Sequence, residues 1–260
     1  MDHNKLIASR ELCVNYKLAI MAWVIGTSLR ADGLADLKNT LEKLNNRQPI
    51  RAQVKAVSSS VATEDKKATQ ASGSMEVTVD HNSNGVRIQW SQDDMDRVRN
   101  ESAQGLQNAN LPSPLRGLMN SFDATTMDSL LAHSDDLLRT LSVSQLLNET
   151  PETRNGQALR KLKFKVNKPI TEANRKSMKS YLDELTIWID DSGLPVASEE
   201  KVELKGSRFL IGFESSSLVK RSFRRVGDRL IVTDNESVSS NAISIMGTNS
   251  NKSRFIVTVN

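Results

Sequence analysis

The stretch Thr186–Gly206, TIWIDDSGLPVASEEKVELKG, decides the fold. Ile187 and Ile189 share a face with Leu185, an alternating run resumes after Pro195, and Asp190-Asp191-Ser192-Gly193 stands between the two. Period-two alternation marks a half-buried strand, because successive side chains point to opposite faces of a sheet. Asp is common where a turn starts, since its carboxylate accepts local backbone N–H groups, and Gly takes the positive φ that other residues resist. The stretch therefore reads as strand, turn, strand. A metal site would need further oxygen ligands at set spacing, and the Gly-Leu-Pro that follows supplies none.

Outward from this hairpin the same period recurs. Upstream, IRAQVKAV (50–57) sets Ile50, Ala52, Val54 and Ala56 against Arg51, Gln53 and Lys55, while SMEVTVD (74–80) and VRIQW (86–90) repeat the pattern around an Asn84-Gly85 turn. Further strands are expected at 159–167, 184–190, 194–206, 208–215, 218–227, 228–238 and 254–260. The polar span 58–73 reads as a connection or a weak outer part of its flanking strands. Helical spacing of Leu34, Leu37, Leu41 and Leu44 predicts a short amphipathic helix over 32–46, and another helix is expected at 171–181. A mainly helical insert is expected at about 91–148, with Met127, Leu130, Leu131, Leu138 and Leu141 along it. The fold class is thus α+β, an antiparallel meander with helices on one face.

The first residues read differently. Lys5, Arg10 and Lys17 lead into an apolar run from Leu18 to Leu29, closed by Arg30 and Ala31. A bilayer-spanning helix needs roughly 20 apolar residues, and a secretory leader only about 7 to 15. Residues 1–31 are therefore expected to be a signal peptide, with 32–260 as one exported periplasmic domain. The only cysteine, Cys13, would leave with the leader, so the mature chain is expected to have no disulfide, thiol nucleophile or lipid anchor on cysteine. Cleavage would remove four basic and two acidic residues, lowering the formal charge from +4 to +2, too near neutral for a nucleic-acid binder.

The leading helix ADLKNTLEKLNN, the first strand, the helical insert and then TIWIDDSGLPVASEEKVELKG together resemble the outer-membrane lipoprotein carrier (LolA/LolB-like) superfamily of secreted bacterial proteins. The order of elements carries the likeness over most of 32–260, and the phrase Asp-x-x-Gly-Leu-Pro carries it as a motif over 187–196. The resemblance implies an unclosed half β-barrel whose concave apolar face is covered by a helical lid and holds a lipid, an acyl chain or an acylated protein. The carrier's lid-locking arginine aligns with no single position here, and the Ser/Asn-rich tail strands depart from the pattern.

The expected apolar groove sets Met119, Phe122, Met127, Leu130 and Leu138, as lid, against Ile88, Trp90, Ile187, Ile189, Phe209, Ile211 and Phe213 of the sheet. A filled core built from the same residues is the competing reading. A protein-interaction or assembly module of the cell envelope is the alternative function. No catalytic residue, metal site or cofactor is expected: no Gly-x-Ser-x-Gly, phosphate loop or His-Glu-x-x-His occurs, and His81 and His133 read as solvated polar residues. Asp93, Asp94 and Asp96 suit the positive end of a helix dipole. Lys161, Lys163 and Lys165 read as the wet side of one strand, of the kind that protects an edge from pairing. The run Lys220, Arg221, Arg224, Arg225 reads as a solvated strand that also admits peripheral contact with anionic headgroups.

Overall fold

The computed structural model describes residues 32–45, 48–64, 67–108, 112–208, 211–244 and 246–259. The expected leader and Phe209 lie outside these residues.

Ten antiparallel strands form one sheet: β1 (Ile50–Glu64), β2 (Lys67–Asn82), β3 (Gly85–Trp90), β4 (Ser144–Arg154), β5 (Gln157–Val166), β6 (Met178–Ile189), β7 (Pro195–Arg208), β8 (Ile211–Val226), β9 (Arg229–Ile243) and β10 (Gly247–Val259). Their order is β3-β2-β1-β10-β9-β8-β7-β6-β5-β4, and the sheet does not close into a barrel. Every pair of neighbours but one is consecutive in sequence; the exception is the pairing of the first strand with the last, Ala52 opposite Val259. The two free edges, β3 and β4, are consecutive in sequence, so the chain between them must travel from one edge of the sheet to the other. That chain is helical: α2 (Gln92–Gln107), α3 (Pro114–Ser121), α4 (Ala124–Leu131) and α5 (Ser134–Ser142). Before the sheet comes α1 (Gly33–Lys43), and between β5 and β6 the short α6 (Glu172–Ser177).

The helix starts follow from capping. Asp32 accepts from the N–H groups of Leu34 and Ala35, Ser91 from Asp94, and Asp123 from Thr126. At α3, where Pro114 occupies the first turn, Glu101 of α2 reaches across and takes the N–H groups of Leu115 and Arg116 at 3.1 and 2.9 Å. The core lies between these helices and one face of the sheet. Leu37 and Leu41 of α1, with Phe122, Met127, Leu131, Leu137 and Leu141 of the insert, meet Ala52, Val54, Val77, Val79, Leu162, Phe164, Ile187 and Val257. Each fully buried Leu, Ile or Phe there contributes about 1.5–3 kcal/mol relative to exposure.

The hairpin at 190–193 is a turn. Asp190 Oδ1 accepts from Ser192 N at 2.9 Å and Leu194 N at 3.0 Å, and Gly193 has φ +81°. The turn also docks α1: a Cβ on Gly193 would stand 2.7 Å from the Asp36 carbonyl carbon, and Thr40 Oγ1 donates to Ser192 O. Several expectations need correcting. Of the two readings of span 58–73, the outer part of the flanking strands is the one found, in β1 and β2, and the connection is not. Segments 208–215 and 218–227 fall largely within one strand, β8, and the helix expected at 171–181 stops at Ser177. Strand β4 lies partly within the span assigned to the insert and partly beyond it. It is polar and contains Pro151, which suits an edge strand whose N–H groups need no partner on one side. The lysines of β5 therefore guard no edge: Lys161 pairs with Glu152 at 3.1 Å and Lys163 with Glu184 at 3.0 Å, across β4 and β6.

Candidate functional site

Nine of the twelve expected groove residues come together. Met127, Ile187 and Ile189 are wholly buried, Phe122 and Leu130 nearly so, and Ile88, Trp90, Met119 and Leu138 pack against the same cluster. Trp90 meets Phe122 edge-on at 5.3 Å, and Phe122 meets Phe255 at 5.8 Å. These side chains fill one another's space, so a ligand reaching them requires the helices to part. Ile211 and Phe213 lie apart, half-buried near the far end of β8.

That far end is the more open part of the same face. The inner face, the one bearing Ala52, Val54 and Ala56, can be followed across the sheet by register. One row beyond the core reads Ser58, Ser253, Ser237, Val219, Glu200 and Leu185; the next reads Ser60, Asn251, Ser239, Ser217, Val202 and Asp183. Every second residue of the Ser/Asn-rich passages thus faces inward, and Ser58, Ser60, Ser237, Ser239, Asn251 and Ser253 form a half-buried polar wall. Where α3 reaches this wall, a pocket of about 460 Å³ is lined by Ser58, Ser60, Asn251 and Ser253 and by Pro114, Gly117 and Leu118.

The segment 167–171 that follows β5 runs beside this part of the face. Its residues Lys168, Pro169 and Ile170, together with Tyr181, line two cavities. One, about 380 Å³, adds Met178, Leu204 and Phe213. Gly206 permits the close packing there, because a Cβ on it would collide with the Phe213 ring and the Ser177 carbonyl. The other, about 670 Å³, adds Leu147, Lys165, Val166, Asn167, Arg175, Leu182, Asp183 and Glu184. It lies where β5 stops: β5 pairs with β6 only between Arg160–Lys165 and Glu184–Ile189, whereas β6 from Met178 to Asp183 pairs with β7 alone.

A charged cluster joins these cavities. Lys168 Nζ donates to Glu200 Oε1 at 2.9 Å and lies 3.1 Å from Asp183 Oδ2, which also accepts from the Tyr181 hydroxyl at 2.9 Å. Arg221 stands 3.6 Å from the other oxygen of Glu200. Burial works against the Lys168 charge, but Glu200 and Asp183 outweigh it and hold its pKa above the ordinary lysine value. Burial likewise works against Glu200, and Lys168 and Arg221 outweigh it, holding its carboxyl below the usual range. Burial, aided by Asp183, pushes the Tyr181 phenol up to about 12. The Asp183 side chain is 0% exposed, and its Oδ1 has no hydrogen-bond partner.

Both histidines are buried, not solvated. His81 continues the inner-face alternation Met75, Val77, Val79, which sets it against the core. Its Nδ1 accepts a hydrogen bond from Arg229 at 2.7 Å, so the ring N–H is on Nε2, which donates to Asp128 Oδ1 at 2.6 Å. Arg229 also donates to the carbonyls of Leu131 and Gln48. His133 stacks on Phe223 at 5.3 Å, and Nδ1 donates to Ser129 O at 2.9 Å. Burial, reinforced by Arg221, lowers its pKa to about 4. Among the described residues no group of three or more His, Cys, Asp or Glu could hold a metal, and no helix is long and apolar enough to cross a membrane. Asp183 could have been found by carrying the alternation Ile189, Ile187, Leu185 two residues further; Lys168, in an irregular segment, left no such signal.

No protein-family model, characterised protein or solved structure matches this chain.

Proposed function

We propose that the protein is a non-catalytic carrier that holds a lipid, an acyl chain or another apolar ligand against the inner face of a half-barrel sheet, with helices as its cover. The observation that carries the reading is the cavity of about 380 Å³ walled by Ile170, Met178, Leu204 and Phe213 beside the packed core. An apolar pocket with a few polar groups at its mouth is the usual form of a small-molecule site. Here Lys168 and Tyr181 are those groups. The ligand seat therefore shifts from the buried residues around Met127 and Ile187 to the far end of the face, with Phe213 the member common to both assignments. Export to the periplasm belongs to the same proposal and rests on the leader-like segment 1–31. A mature start near Asp32 in the envelope fraction supports export, and an intact Met1 in the cytosol contradicts it.

Titration with a fluorescent fatty-acid analogue tests the carrier reading. Wild type should bind it in the micromolar range or tighter, roughly −8 kcal/mol. Phe213→Ala should weaken binding about tenfold or more while the fold persists. An unchanged affinity in the folded Phe213→Ala protein contradicts the seat, and no binding by wild type contradicts the carrier.

A further inference from the structure

Large apolar side chains exposed one at a time are ordinary on a protein surface, whereas a contiguous exposed patch marks a contact. Such a patch stands at the far end of the sheet, where β7 turns into β8 and β9 into β10. Met246 is 65% exposed and Ile243 37%, and Phe213 pairs directly with Ile243 across β8 and β9. The two turns are tied together: Ser244 N donates to Gly212 O at 3.0 Å, and Gly212 N donates to Ser244 Oγ at 3.2 Å. Met246 N in turn donates to Ile243 O at 3.0 Å. The residues that join these strands, 209–210 and 244–246, include no charge.

Cations surround this apolar tip. Arg175 and Lys176 lie on α6, Lys179 at the start of β6, and Lys205 and Arg208 at the end of β7, all exposed. Register brings these ends together, with Met178 opposite Gly206 and Arg208 opposite Ile211. The acids among them, Glu172 and Glu214, are already paired with Lys176 and Lys205 at 3.1 and 3.2 Å. Arg175 and Lys179 have no ion pair among the described residues. The β1–β2 connection, brought to the same end by Thr63 opposite Thr248, has the sequence Glu64-Asp65-Lys66-Lys67 and adds no net charge. An apolar tip within surplus positive charge complements an anionic bilayer, whose headgroups attract the cations and whose acyl boundary accepts the tip. It suits a second copy less well, because a two-fold contact would set like cations against each other.

We infer that this end of the sheet docks on an anionic membrane surface, with Met246 and Ile243 entering the headgroup region and Arg175 and Lys179 lying against lipid phosphates. The inference names a partner for the carrier reading but stands without it. Phe213 lines both a groove of about 550 Å³ beside Ile243 and the cavity of about 380 Å³ proposed for the ligand, so that seat lies next to the docked end.

The full chain carrying Cys13→Ser and Met246→Cys, labelled at the new thiol with a nitrobenzoxadiazole dye, tests it. A dye there reports insertion of the tip whatever residues 1–31 do. On vesicles of phosphatidylcholine and phosphatidylglycerol in equal parts, its emission should shift to the blue and be quenched by doxyl-labelled lipid; on pure phosphatidylcholine it should not shift. The same dye at Asn84→Cys, in the exposed β2–β3 turn at the opposite end of the sheet, should stay unshifted. In the chain labelled at 246, Arg175→Glu with Lys179→Glu should raise the lipid concentration at half shift about tenfold or more. A dye at 246 that stays in water while the protein is bound to vesicles overturns the docking, and an equal shift on pure phosphatidylcholine overturns the choice of an anionic surface. A blue shift without vesicles that grows with protein concentration assigns the tip to a second copy and overturns it as well. Fatty-acid binding is read separately: if it persists without insertion of the tip, the docking fails alone, and if insertion occurs without it, the carrier reading fails alone.

Discussion

The two halves of the long strands share one backbone and one inner face but differ in chemistry. Between Ala52 and Ala56, and along their partners in β2 and β10, the inner face is Ala, Val, Met and Phe pressed against helices. Six residues further along the inner face it is Ser60, Asn251, Ser239 and Ser217, half-buried, where α3 reaches only Ser60 and Asn251 and leaves a pocket between. Regular backbone pairing continues through both, so sheet hydrogen bonding does not distinguish them. Side-chain burial does, and with it the share of stability each half carries. The first half can hold the fold because removing its apolar surface from water is favourable; the second contributes little of that and is free to be shaped for an occupant.

The comparison is broken most severely by cavities in the packed half. Ile187→Ala, at a position with no exposure, should cost about 2–5 kcal/mol in denaturant unfolding. A loss below about 1 kcal/mol would mean that the residue already faces open space. Next comes acid. The folded pKa of His133 is lowered to about 4 from the ordinary 6.5, so between these values the unfolded chain binds a proton that the folded chain refuses. Stability should therefore be full above pH 6.5 and fall as pH drops toward 4, by up to about 3 kcal/mol. His133→Phe should flatten that slope, and an unchanged pH profile in the variant would remove His133 as its cause.

A smaller effect is expected where the hairpin turn meets α1. Gly193→Ala places a Cβ against the Asp36 backbone at a positive φ and should lower stability by about 1–3 kcal/mol, measured by thermal unfolding. The smallest belongs to the polar half: Ser239→Ala should change stability by no more than about 0.5 kcal/mol. A loss approaching that of Ile187→Ala would show that the serine wall is a packed core in its own right.

Much of the fold was legible because alternation is local. Leu185, Ile187 and Ile189 announce a strand and its buried face, and Asp190 to Gly193 announce the turn, without reference to anything distant. Strand β4 was not legible: SQLLNETPETR has neither clean alternation nor strand-forming bulk, and it owes its place to pairing with β5 at the sheet edge. The candidate site was only half legible. The inner-face position of Tyr181 and Asp183 follows from extending a visible pattern, yet their engagement with Lys168 depends on how an irregular segment packs. His81 was misplaced because residue type was weighed above register: a His two positions beyond Val79 on the same strand shares its buried face whatever its polarity. His133 precedes a helix and owes its burial to Phe223, which no local pattern announces.

Hydrogen–deuterium exchange, followed by mass spectrometry with and without the bound fatty-acid analogue, tests most directly whether the two halves divide the work. Ligand should slow exchange over residues 167–183 and 202–217 and leave 52–57 and 185–189 as slow as before. Protection confined to the helices at 114–142 and the strand residues beneath them would contradict the division, because it would place the ligand within the packed half.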